Sequence, residues 1–360
     1  MKRIVYISRL SPNTLQKEIQ KIAEVSSQNN KKIQITGILL CLGDFFFQVI
    51  EGEIEQVELL YRKILADTRH TDILCLKTEY DVTERLYPNW AMKTINLDEM
   101  TDVIIQPIKS LLKTVTESHR ILEKYTQPSV INILTQGRNP LQVLPQLTEK
   151  IIFFSDICSF SIFAEKLPVI QVVSFVNQYL EICSKHISAF GGEVSKFIGD
   201  SVMASFPNEA GDAAIESCLV ILNELQQLRE QTSETMPLHF LYTGIGLSCG
   251  KVIEGNIGSH CIKMDYTLLG DEVNTAARLE GLTRHLSYML AFTETVKMQT
   301  KKNWPFINLG THQVKGKQKS INIFSIDKPI TRKKIDTPQL AQLISYRLDS
   351  KINENNGEIV

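Results

Sequence analysis

Two aspartates and one glutamine raise the first chemical questions. Asp156 closes the apolar run IIFFSDICSF, and Asp200 stands at the tip of SKFIGDSVMASF, where Gly199-Asp200 reads as a hairpin turn. A strand end and a hairpin tip in one sheet can be neighbours, and two carboxylates brought that close need a cation or a shared proton. Magnesium, which takes oxygen ligands and prefers a few carboxylates together with phosphates, suits such a pair. The plainer alternative makes Asp156 a helix cap and Asp200 a turn residue, and spacing alone leaves both open. The ICSFSIF stretch after Asp156 leads into a helix, where backbone N–H groups suit phosphate oxygens.

Downstream, DYTLLGDEVNTAARLEGL carries Asn274 and Arg278, four apart on a helix and so on one face. An amide and a guanidinium facing one way suit a ribose and a phosphate; an exposed polar helix face is the alternative. The run KGKQKS adds Lys315, Lys317 and Lys319 beside a glycine, a pattern that also fits a solvated turn.

The glutamine lies in GDFFFQVIEGE. Strand alternation places Phe46, Gln48 and Ile50 on one face, in a run whose two faces both read as buried. An unpaired buried amide costs about 1–3 kcal/mol, so Gln48 needs partners. Tyr6, in a first strand where Ile4, Tyr6 and Ser8 share a face, is one candidate, and a Tyr–Gln pair satisfied within a core is the structural alternative. Asn29 and Asn30 close the first helix, and Trp90 and Met92 share a face of a late strand in PNWAMKTI. Asn29, Asn30 and Gln48 supply amides fit for the edge of a flat polar ring such as an isoalloxazine.

These residues need scaffolds, and 360 residues suffice for two or three domains. A hydrophobic content of 43% with 22% charged residues is that of a globular protein. The net charge of −1 provides no global field for nucleic acid or acidic lipid. Seven cysteines without a C-x-x-C pair argue against a zinc or redox motif and for a reducing compartment. No run approaches the ~18 apolar residues of a membrane span, so a cytoplasmic protein is expected.

Residues 1–97 read β-α-β-β-α-β, the order of a ferredoxin-like sandwich. Residues 98–126 carry Leu111, Leu112, Val115, Ile121, Leu122 and Tyr125 at three-to-four spacing, which predicts either a helix lying on its own domain or a dimerising connector. Residues 127–149, rich in Pro, Gly, Asn and Gln, read as a linker. Strands and helices alternate again over 150–327, an α/β or α+β layer, and 328–360 reads as a polar tail, frayed at its end. The expected class is α+β.

FFSDICSF, SKFIGDSVMASF and LLGDEVNTAARLE, in this order, resemble the signature segments of class III nucleotidyl cyclases over about 150–327. The resemblance implies that Asp156 and Asp200 hold two Mg²⁺ (or Mn²⁺) ions with help from the Ile157 carbonyl. It implies that Lys196 and Thr267 read the base, Asn274 orients the ribose, Arg278 stabilises the α-phosphate and Lys315 binds the distal phosphates. Lysine has donors only and suits adenine N1, while threonine accepts from N6; the Glu and Cys of guanylyl cyclases are absent at these positions. ATP is therefore the expected substrate and 3′,5′-cyclic AMP the expected product. In this family the site straddles two catalytic domains, so one such domain per chain implies a homodimer.

YIS, SSQNN, ITGILL, FFFQVIEGE, RHTDI and NWAMKTI resemble, over about 1–97, the BLUF domains, blue-light sensors that bind flavin non-covalently. This implies FMN or FAD beside Tyr6, Asn29, Asn30, Gln48 and Lys63. Gln48 would bridge Tyr6 and the flavin N5/C4-carbonyl edge, light would drive electron and proton transfer from Tyr6, and Trp90 and Met92 would relay the change. Lys63 departs from the arginine that many relatives carry, keeping the charge without the fork. The joint expectation is a blue-light-activated adenylyl cyclase. The alternatives are a light-regulated guanylyl cyclase, a light-dependent interaction module with an inactive cyclase domain, and a constitutive cyclase with a vestigial sensor.

Overall fold

Runs of β-branched and aromatic residues at period two build the first sheet, and the computed structural model places them in the expected order. It describes residues 1–11, 18–100, 105–136, 138–259, 262–313 and 320–357. The chain divides into two units, 1–143 and 144–360.

In the first unit β1 (Lys2–Leu10), α1 (Glu18–Lys32), β2 (Thr36–Leu42), β3 (Phe45–Gly52), α2 (Ile54–Leu65), β4 (His70–Glu79) and β5 (Lys93–Asn96) follow one another. The sheet order is β4-β1-β3-β2-β5. The first four strands are antiparallel neighbours, as in a ferredoxin-like sandwich, and β5 adds a parallel edge beside β2. The Gly43-Asp44 turn closes the β2–β3 hairpin, with Gly43 at φ +58°. At Gly37 a Cβ would stand 1.9 Å from the Val49 carbonyl oxygen, so the hairpin closes only over a glycine.

Helix α3 (Ile105–Tyr125) and α4 (Pro128–Thr135) complete this unit. The α4 helix occupies part of the 127–149 stretch expected as a linker: Pro128 is suited to the first helical turn, and apolar Val130, Ile131 and Leu134 follow it. Thr116 is buried, whereas Leu111, Val115, Leu122 and Tyr125 of α3 are exposed.

The second unit opens with β6 (Gln146–Ile157), four residues earlier than Lys150, because the strand pairs with β9 from Gln146 onward. Then come α5 (Phe160–Lys166), α6 (Val169–Ala189), β7 (Glu193–Ile198), β8 (Ser201–Pro207), α7 (Gly211–Gln231), β9 (Thr243–Ser259), β10 (Lys263–Leu269), α8 (Asp271–Leu282), β11 (Leu290–Thr293), α9 (Glu294–Met298), β12 (Phe306–His312), β13 (Ile321–Ile326) and α10 (Thr337–Gly357). The sheet order is β12-β13-β11-β9-β6-β8-β7, with β10 paired to the distal half of β9. Ile151, Ile152 and Phe153 of β6 are fully buried, as a central strand covered on both faces requires. Residues 328–360, expected as a polar frayed tail, are corrected: α10 inserts Leu340, Ile344 and Leu348 into the main core at four-residue spacing.

Candidate functional site

In the first unit, cross-strand register places Tyr6 of β1 directly opposite Gln48 of β3. Both are buried, Tyr6 to 1% and Gln48 to 7% exposure. The phenol donates to Gln48 Oε1, and Gln48 Nε2 lies 3.3 Å from Met92 Sδ. Burial, reinforced by Tyr61 and Asp67, lifts the Tyr6 hydroxyl far above its ordinary range, so it remains a neutral donor. The amide thus has a strong partner at its oxygen and a weak acceptor, a thioether, at its nitrogen. A ligand carbonyl or ring nitrogen is the kind of acceptor that would complete it, and this is the fit a flavin edge requires.

Asn30 is buried and donates from Nδ2 to the Ala91 carbonyl at 3.1 Å, next to Met92, while Asn29 is exposed. Lys63 is exposed on α2. Trp90 and Met92 do not share a strand face. Both precede β5, where Trp90 is 39% exposed and stacks on Tyr87 at 5.5 Å, while Met92 is buried against Gln48. The physical reason is that the parallel pairing with β2 begins only at Lys93, leaving the preceding segment to follow a turn instead of a pleat.

In the second unit the two aspartates converge. Asp156 is the last residue but one of β6, and the β7–β8 turn holds Asp200 after Gly199 at φ +64°. The Ile157 N–H donates to Asp200 Oδ2 at 3.3 Å, and Ser201 Oγ donates to Asp156 Oδ1 at 3.0 Å. Burial, together with the adjoining Asp156 carboxyl, pushes Asp200 up to about 7. Two acids so placed resist joint ionisation, a conflict that a divalent cation relieves. Hard carboxylate oxygen donors fit magnesium or manganese.

Behind the aspartates is support that sequence reading missed. Tyr179 is fully buried, 2.7 Å from Ser155 Oγ and 2.8 Å from Thr243 Oγ1; Thr243 in turn donates to the Asp156 carbonyl at 2.7 Å. Arg284 reaches Asp156 Oδ2 at 2.7 Å and stands 4.0 Å from Glu280, a buried acid that desolvation and the charge of Asp156 raise to about 7. The Glu280–Arg284 spacing of four residues was the available signal.

Lys196 lies on β7 just past a bulge and pairs with Asp265 of β10 at 2.5 Å. Thr267 is two residues farther along β10, hence on the same face as Asp265. Asn274 and Arg278 lie one turn apart on α8, Asn274 exposed and Arg278 half-buried. Lys315 falls outside the described residues.

Comparison with known proteins agrees with both halves. Residues 1–93 match the BLUF family, described as sensors of blue-light using FAD, and residues 144–328 match the adenylate and guanylate cyclase catalytic domain. A solved bacterial light-regulated adenylyl cyclase is 59% identical, covering 96% of this chain and 99% of its own, with a TM-score of 0.91. Photoactivated adenylate cyclase subunit beta of Euglena gracilis is 29% identical over 93% of this chain, and the beta subunit of Euglena longa is 30% identical over 81%. The chain spans only 40% and 34% of the length of those two relatives. Among the described residues no helix is long and apolar enough to cross a membrane. The chain belongs to the adenylate and guanylate cyclase catalytic-domain family and carries a BLUF-family domain at its N-terminal end.

Proposed function

We propose that this protein is a blue-light-activated adenylyl cyclase, converting ATP to 3′,5′-cyclic AMP and pyrophosphate. The convergence of Asp156 and Asp200 carries the enzymatic half of the reading. The end-to-end likeness to a light-regulated adenylyl cyclase supports the link to light. We assign the metals to Asp156 and Asp200, the base to Lys196 and Thr267, the ribose to Asn274, the α-phosphate to Arg278 and the distal phosphates to Lys315.

Asp156 and Asp200 would hold two divalent ions, which when bound would lower the pKa of the attacking ribose 3′-hydroxyl and neutralise the leaving pyrophosphate. The residues supply placement and charge. Ser201 and the Ile157 N–H orient the two carboxylates. Lys196, a donor only, matches adenine N1 and not the protonated N1 of guanine. Arg278 meets charge that develops on the α-phosphate oxygens, an effect worth several kcal/mol at ~3 or more. With the base, ribose and arginine groups on one subunit and the aspartates on the other, a homodimer assembles two sites.

For the sensor, bound flavin, FMN or FAD, supplies the blue absorption. Tyr6 holds a proton at its hydroxyl for Gln48, whose amide has a donor and an acceptor end and so changes its pattern by rotating. Asn30 holds the Ala91 carbonyl, next to the Met92 that meets this amide, and we include Asn30, Asn29 and Lys63 in the flavin-binding set. We place the protein in the cytosol; the six described cysteines that are free are all buried, in keeping with a reducing compartment.

The test is direct. Purified protein should be yellow and form cyclic AMP from ATP in blue light well above the dark rate, with little cyclic GMP from GTP. Comparable use of GTP would transfer the reading to a guanylyl cyclase, and no product in light with Mn²⁺ and ATP would leave only an interaction module.

A further inference from the structure

Glu51 is a fully buried acid on β3. Its carboxylate accepts four hydrogen bonds: from Arg3 Nε at 2.9 Å, the Leu86 N–H at 3.0 Å, the Tyr87 N–H at 2.7 Å and Thr36 Oγ1 at 3.3 Å. Arg3 also grips Glu79 at 2.8 Å and the Glu84 carbonyl at 2.8 Å, and Arg85 reaches Thr36 Oγ1 at 3.2 Å. The backbone from 84 to 87 is thereby held at three points by two side chains.

This segment has no regular structure of its own, so its polar groups depend on such partners. It runs directly to the photosensory contact. The Trp90 N–H donates to the Tyr87 carbonyl at 3.2 Å, the Trp90 carbonyl accepts from Gly37 at 2.8 Å, and Met92 then turns onto Gln48. Arg3 faces Glu51 across the same two strands on which Tyr6 faces Gln48, three rungs away. An odd number of rungs puts the two pairs on opposite faces. One pair of strands therefore carries the phenol–amide pair on one face and, on the other, the anchor of the loop that returns to that amide.

We propose that Glu51 is a positioning residue for the photoswitch: from the far face of the sheet it fixes residues 84–92 and so sets the contact of Met92 with Gln48. The proposal rests on the reading of Gln48 as the switch. Light that reorients the Gln48 amide alters the Met92 end of this segment, while Glu51 keeps the other end fixed. The carboxylate is required because all four of its partners are donors; an amide would turn an NH₂ group toward two of them.

Hydrogen exchange and dark-recovery kinetics on the full chain test this. Glu51→Gln and Glu51→Asp, the second keeping both carboxyl oxygens but retracting them by one methylene, should speed amide exchange at 86 and 87 roughly tenfold or more. That effect should appear in flavin-free protein as well as in loaded protein. In loaded protein both variants should keep their flavin and change the dark-recovery rate at least about threefold, because the Met92–Gln48 contact is loosened. In the unaltered protein, exchange across 86–92 should differ between dark and blue light. Recovery within experimental error of the parent while exchange at 86 and 87 has risen would overturn the proposal, as would light-insensitive exchange across 86–92 in unaltered protein that still shows its spectral shift. An unaltered protein that binds flavin but shows no spectral shift would instead overturn the reading of Gln48.

Discussion

Gln48 shows what a single side chain can contribute because its amide carries a donor at one end and an acceptor at the other. Its oxygen takes the Tyr6 hydroxyl and its nitrogen faces the Met92 sulfur. Tyr6→Phe deletes one donor and leaves a buried acceptor unmet, at about 1–3 kcal/mol. That loss is tolerable for a domain, so Tyr6→Phe protein should fold and retain flavin yet show no red shift after blue illumination. Gln48→Leu should behave likewise, and absorption spectra before and after illumination decide. A normal shift in either variant would remove the pair from the mechanism. The pairing of Tyr6 with Gln48 was legible because strand alternation is rigid and both residues sit among buried apolar neighbours. Glu51 was not legible, because its partners at 84–87 come from a segment with no period to read. Trp90 and Met92 were placed together for the same reason in reverse: a strand pattern was extended past the point where pairing begins.

Helices show a different limit. The stretch 337–348 contains Leu340, Ile344 and Leu348 at four-residue spacing, yet its polar average suggested a tail. Average composition describes solubility, whereas spacing decides which face is buried. The α10 helix is also tied to α5, where Lys166 reaches Ser345 at 2.7 Å and Asp349 at 2.6 Å. Ile344 is 0% exposed and its neighbour Leu343 is 37% exposed. Ile344→Ala should therefore destabilise the catalytic unit by about 2–5 kcal/mol, whereas Leu343→Ala should have a much smaller effect. Thermal melts of the full chain, followed through the transition that nucleotide shifts upward, separate the two. Equal melting of both variants would mean that α10 does not share the core. The aspartate pair was easier to foresee, because a strand end and a hairpin tip are positions that topology fixes. Glu280 and Arg284 belong to the same site, but they lie at the end of α8 and in the turn just after it, a stretch read only for its amide and its arginine.

At the scale of the whole molecule, the arrangement predicts dependence on a second copy. Leu111, Val115 and Leu122 are exposed on α3 at spacings of four and seven, a spacing that would suit a seam with a second helix. Within one chain the hydrogen bonds join Asp200 to the Ile157 backbone beside Asp156 and, separately, Lys196 to Asp265 near Thr267. If the partner's aspartates complete each site, two different lesions should complement. Asp200→Asn removes a metal carboxylate and Arg278→Ala removes the phosphate-directed charge, so each homodimer should be nearly inactive. In a heterodimer one site carries both lesions and the other carries neither. Random mixing makes half of the dimers heterodimers, so activity should return to roughly a quarter of the parent rate. Differently tagged subunits, purified through both tags, raise that ceiling to about half, because one of the two sites in every dimer is intact. Cyclic AMP formation in blue light by such doubly purified protein is the measurement. If verified heterodimers stay at the level of the single variants, each chain must build its site alone, and the exposed seam on α3 would then serve something other than catalysis.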